Sequence, residues 1–340
     1  LPIVPITDLT IKDNDLIVAT QGRAFWIIDD LTIVQQYDPS LTNKNLHVFP
    51  VKPTWRIPGP DERFAAFQRT PVNAGANPTS GVVINYFLKD VTDSTKATIV
   101  IMDKNKKVIK TFATEGKENK FEIVKGMNQF SWNLQYPGAE TVDGMILWNG
   151  TPSGLVAAPG DYFYKVKSGV DSVEGSFQVK ADPNYKCSQE DYTAQFEFLQ
   201  TAMGKFNDVQ KGIKNIRSLR TQINDFIAKQ GKDCPKEVKE MGESINKQLT
   251  TIEETLYQTK SKSGQDVLNF PIRLNDKLSG VYDAANSGNM APSKQVKEVY
   301  ATLASQCDEQ LAKLKKVVDE DVVKFNQLIR EKALPVIGVK

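Results

Sequence analysis

Histidine is almost absent from this sequence: among 340 residues there is one, His47. A serine or cysteine nucleophile normally needs a base beside it, so any such site has to be built on His47 alone. That residue lies in a proline-rich stretch and reads as a surface or packing side chain. The nucleophile elbow GxSxG, the phosphate-cradling GxxxxGK[ST] loop and the zinc motif HExxH are missing as well. Cysteine is scarce, and Cys187, Cys234 and Cys307 stand far apart without a CxxC pair, so no metal cluster follows from their spacing. Cys187 and Cys234 flank one long predicted helix, which at ~1.5 Å per residue holds them about 60 Å apart, beyond disulfide reach. The Cys234–Cys307 pairing stays open. These gaps point to no metal and no cofactor.

Long apolar runs are absent too. None reaches the ~18 residues of a membrane span, and the opening LPIVPITDL has neither the basic flank nor the long apolar centre of a signal peptide. Charge of one sign is not in excess: Lys plus Arg (43) against Asp plus Glu (41) leaves +2, which gives no pull toward nucleic acid or acidic lipid. Lys104, Lys106 and Lys107 cluster in a turn, where a solvated loop accounts for them. What is present is ordinary globular material, 40% hydrophobic and 25% charged, long enough for two or three domains with cores of their own.

Residues 1–37 read as a few short strands: Asp8 to Ile11, Asp15 to Thr20, and Ala24 to Asp29 leading into LTIVQQY, separated by turn residues Asp13, Asn14 and Gly22. So few strands bury little and expose their edges, which predicts that they dock on something. The run NDLIVATQGRAFWIIDDLTIVQQ, Asn14 to Gln36, resembles the last blade of the bacterial sortilin-like BNR-repeat propeller proteins, often labelled glycosyl hydrolases. Asp15, Ala19, Thr20, Gly22, Arg23, Phe25, Trp26, Asp29 and Asp30 match the family's wording, and Gln21 stands where the family usually carries histidine. The resemblance implies a remnant of a propeller blade whose upstream blades, in the same protein, are its partners. It also implies a C-terminal region of a secreted, periplasmic or cell-surface protein.

Residues 38–80 form a proline-rich connector of wrapping character, with Trp55 and Phe64 as its anchors and one short apolar run, LHVF. From 81 to 182 the period is two. Phe130, Trp132 and Leu134 share one face of their strand, as do Tyr162, Tyr164 and Val166, which predicts an antiparallel sandwich of the immunoglobulin or fibronectin type III kind. The pattern GxNxFxWxL, PGxYxxxV, FxV between Gly126 and Val179 is similar to the immunoglobulin-like modules of that propeller family and of flagellar hook-capping proteins. From Ser188 to about residue 331 the period becomes three to four. Ser188 with Asp191 reads as a capping box, Gly231 as a stop and Pro235 as a start. Helices to about Gln230, to about Gln258, over Val267 to Ala285 and from Ser293 onward predict an antiparallel four-helix bundle, followed by a tail at 332–340. The expectation is a multidomain β plus α chain.

Two acids flanking a cleft suffice for glycoside hydrolysis. Asp29 and Asp30 are the best such pair, although neighbouring strand residues face opposite ways and a strand-end turn explains them as well. Glu140, Asp143 and Trp148 lie in one long loop, and Trp55 is the aromatic that could join them, a composition suited to stacking on a sugar. Asn149-Gly150-Thr151 is a glycosylation sequon. Two functions follow. One is a non-catalytic structural and binding region that braces a propeller and presents a surface to a protein or glycan. The alternative is part of a glycoside hydrolase whose active centre lies in the propeller. The SxDxGxTW repeat that would favour the alternative does not occur.

Overall fold

The computed structural model describes residues 1, 3–57, 75 and 78–335. The chain is a multidomain β plus α protein of two compact units, one comprising Leu1–Tyr136 with Val156–Lys186 and the other Pro137–Leu155 with Cys187–Lys340.

The first unit begins with strands β1 (Ile6–Lys12), β2 (Asp15–Thr20) and β3 (Phe25–Ile28), an antiparallel sheet in that order. Asp13 and Asn14, at φ 51° and 72°, make the two-residue turn between β1 and β2, a backbone that Asp and Asn tolerate better than most residues. LTIVQQY does not prolong the strands as expected. Asp30 turns the chain at φ 71°, its carboxylate accepts a 2.8 Å bond from the Thr32 N–H, and Thr32–Gln36 coils into a short helix, α1.

Two further sheets follow. Strands β4 (Leu46–Val48), β6 (Val82–Leu88) and β9 (Gly126–Trp132) form one, ordered β4-β6-β9. Strands β5 (Thr54–Trp55), β7 (Ala97–Met102), β8 (Val108–Ala113), β10 (Gly160–Ser168) and β11 (Asp171–Lys180) form the other, ordered β5-β11-β10-β7-β8. Their buried residues make one core around Trp132, Tyr86, Ile84, Ile101 and Phe177. The period-two reading of Phe130 with Trp132 and of Tyr162, Tyr164 and Val166 placed these buried faces correctly. The named strands within 81–182 pair antiparallel, as expected, and β5, which comes from the connector, joins them in parallel to β11, with Thr54 opposite Val179. β5 arrives from the connector and not from a hairpin, so nothing fixes an antiparallel return. LHVF in the connector is largely the sheet strand β4. Phe64 and much of the connector lie outside the described residues.

The second unit holds α2 (Gln189–Gln230), α3 (Lys236–Leu256), α4 (Leu274–Asn286), α5 (Lys294–Lys316) and α6 (Val323–Glu331), the last two joined by a π-helical segment, Val317–Val322. Ser188 caps α2 through both bonds of a capping box with Asp191, and Gly231 ends it at φ 60°. The helix expected over Val267 to Ala285 is shorter. Pro271 has no N–H to donate, and it separates a 3-10 turn, Gly264–Leu268, from α4. Pro137–Leu155, expected within the sandwich, belongs with the helices, because Val142, Met145 and Leu147 pack into the helical core. The open Cys234–Cys307 pairing is not made. All three thiols are free, and Cys234 and Cys307 fill the core as small apolar side chains.

Candidate interaction surface

Of the acids and aromatics singled out by sequence, Asp30, Glu140 and Trp55 make side-chain contacts within their own units, and Asp143 and Trp148 contribute backbone groups. Asp30 accepts from Asn14 at 3.2 Å and from the Thr32 N–H, and its carboxylate pairs with Lys52 at 2.8 Å. Burial pushes this carboxyl up, but the bonds from Lys52 and Thr32 outweigh burial and hold it below its ordinary value. Asp29 is exposed at the end of β3. The two do not share a set of partners, and the turn explains Asp30.

Glu140, Asp143 and Trp148 lie in the second unit, and Trp55 in the first. The Glu140 N–H donates to Asn207 at 2.8 Å, and its carboxylate sits between Lys214 at 3.2 Å and Lys211 at 3.5 Å. The Lys214 hydrogen bond is the largest influence on that carboxyl and lowers its pKa. The Asp143 carbonyl accepts from Arg217 at 3.2 Å. Trp148 keeps an exposed ring, while its N–H donates to Asp276 at 2.8 Å. Trp55 lies under the Lys180 ammonium, 5.3 Å from the ring centre.

Asp276 was not foreseen, and it organises this loop. Its buried carboxylate accepts from the N–H groups of Trp148 and Asn149 at 2.8 and 2.9 Å and from the Asn149 side-chain amide at 2.9 Å. Ser279 donates to the Gly150 carbonyl at 2.6 Å and Tyr282 to the Ser153 carbonyl at 2.7 Å. One face of α4 thus supplies the partners that a loop without its own backbone pairing requires. The sequon nitrogen of Asn149 is engaged in these bonds. Buried Glu253, also unforeseen, accepts from Arg217 at 2.8 Å and Arg220 at 2.7 Å. A sequence signal was present only for the arginines, placed three apart on one helix face.

His47 packs edge-on against Phe49 at 4.9 Å, and burial lowers its pKa. Two apolar grooves mark the helical unit: one of about 450 Å³ lined by Ile272, Val281, Val296 and Leu303, and one of about 610 Å³ lined by Ile223, Phe226, Phe325 and Ile329. Neither brings together a pair of acids. Among the described residues no group of three His, Cys, Asp or Glu side chains is placed to hold a metal, and no helix is long and apolar enough to cross a membrane.

Exposed apolar side chains gather on the β1–β3 sheet. The register sets Leu9 opposite Val18 and Val18 opposite Trp26, and Ile11 opposite Leu16 and Leu16 opposite Ile28. Directly opposed residues share a face, so these six side chains make a wholly apolar one. Val18 is buried, but Leu9 is 59% exposed, Ile11 62%, Trp26 44% and Ile28 48%.

No protein-family model matches the chain, and no curated protein matches it. A solved structure titled "pT26-6p" aligns at 12% identity over 67% of this chain, with a TM-score of 0.13. That likeness is too weak to carry an argument about fold or function. The chain spans 45% of the length of that structure.

Proposed function

We propose that this chain is a non-catalytic structural and binding region of a secreted sortilin-like propeller protein. In this reading β1–β3 are the closing strands of a propeller blade, the two-sheet core is an immunoglobulin or fibronectin type III-like sandwich, and the helices are a four-helix bundle. The partners are the upstream blades of the same protein, with a protein or glycan ligand on the outer surface. One observation carries the reading: on one face of the β1–β3 sheet the apolar side chains of Leu9, Ile11, Trp26 and Ile28 stand exposed, while the candidate acids Asp30 and Glu140 are tied to lysines within their own units. Hydrolysis of a glycoside calls for one protonated and one ionised acid facing each other, and both of these carboxyls have pKa values held low.

Glycan-array binding and turnover of chromogenic glycosides test the proposal. The expected outcome is no turnover, together with improved solubility of a propeller fragment from the family when the two are co-expressed. Turnover that falls on Asp30→Asn would defeat it in favour of the hydrolase alternative.

A further inference from the structure

Pro335 stands at the head of the larger apolar groove. Leu219, Ile223 and Phe226 of α2 line one wall of that groove, and Val322, Phe325 and Ile329 line the other. On α2 the same stripe continues at a spacing of three or four residues to Gln230, whose side-chain amide donates to the Pro335 carbonyl at 2.9 Å. The turn after α6 delivers the chain to this point. The Leu334 N–H donates to the Ile329 carbonyl at 3.1 Å and the Ala333 N–H to the Arg330 carbonyl at 3.0 Å, the paired bonds that fold a chain back over the end of its own helix. Ala333 holds φ 48°, a left-handed backbone uncommon for alanine. Leu334 packs on the helical core, so the reversal is fastened from both sides.

We infer that residues 336–340, Val-Ile-Gly-Val-Lys, occupy this groove, running back from Pro335 toward Leu219. Reach, pattern and charge all favour this occupant. Five extended residues span about 17 Å, and the eleven steps from Leu219 to Gln230 cover about the same distance at ~1.5 Å each. In an extended chain Ile337 and Val339 share one face, which meets the apolar walls. Lys340 then arrives at the π-helical segment Val317–Val322, whose Glu320 makes no ion pair among the described residues. A second copy of the chain would have to compete with a segment tethered at roughly millimolar effective concentration. While the segment is seated, it closes the groove to any other apolar partner and latches α6 to α2.

The test is a pair of cysteines in the full chain, with Cys187→Ser to remove the half-exposed thiol. Four extended residues beyond Pro335 reach about 13 Å, which sets Val339 beside Gln222 on the groove's rim. Thr221 is exposed and does not line the groove. Under mild oxidation Gln222→Cys with Val339→Cys should close an intramolecular disulfide about tenfold faster, or more, than Thr221→Cys with Val339→Cys. Equal rates overturn the assignment. Disulfide-linked dimers that form faster than closed monomers make a second copy the occupant and overturn it too. Adding Ile337→Asp to the first pair leaves every contact of residues 189–335 in place, and helical circular dichroism checks that the fold is kept. Closure should then slow about tenfold, because a carboxylate is expelled from apolar walls. An unchanged rate would show that no apolar contact seats the segment, and would defeat the proposal.

Discussion

Cys307 sits among Leu303, Leu314 and Phe325 in the helical core, and burial pushes its thiol up to about 12. Only the thiolate attacks an alkylating agent, so at pH 8 this side chain is inert while the fold holds. Cys234 is buried as well, and Cys187 is half-exposed. Mass spectrometry after brief iodoacetamide treatment should therefore find one labelled cysteine in the native chain, Cys187, and three after denaturation. Native labelling of Cys307 would contradict its placement. Asp276 and Glu253 are buried and acceptor-rich, and each fixes separate stretches of chain. The exposed residues that looked suited to chemistry, Asp29 and Trp148, end a strand and hang from a clamped loop.

Strands and helices carry most of what could be read early. Alternation in Gly126–Trp132 and Gly160–Ser168 fixed which side chains meet in the core, and Ser188, Gly231 and Pro235 marked helix ends by their local chemistry. The parallel entry of β5 and the coiling of Thr32–Gln36 were not legible, because a remote partner and one turn residue decide them. Gly81 opens β6 at φ 88°, and a Cβ there would lie 2.1 Å from the Trp132 carbonyl oxygen. Gly81→Ala combines a left-handed backbone with a backbone clash, so a loss of roughly 3 kcal/mol or more is expected, read as a lowered urea midpoint. An unchanged midpoint would mean that β6 and β9 are less closely apposed at this point.

For the molecule as a whole, division into units does not follow sequence order. Pro137–Leu155 departs from the strand-rich segment and completes the helical core with Val142, Met145 and Leu147, held by Asp276, Ser279 and Tyr282. Replacing residues 138–154 with a Gly-Ser linker of equal length should cost the helical unit about 3–5 kcal/mol through the cavity left behind. The helical circular-dichroism signal should then melt earlier. An unaltered melt would show that the helices close without the loop. The composition of this loop, acids with a tryptophan, suggested a sugar site. In the structure the Glu140 N–H and the Asp143 carbonyl both help to fasten it.

Local periodicity and end chemistry, written in neighbouring residues, determined by themselves that strands precede helices and which of their faces are apolar. The units, the clamp on Asp276 and the pairing of β5 were decided only in three dimensions. Each depends on which distant group supplies a hydrogen-bond partner or covers an apolar side chain, and residue spacing holds no record of that.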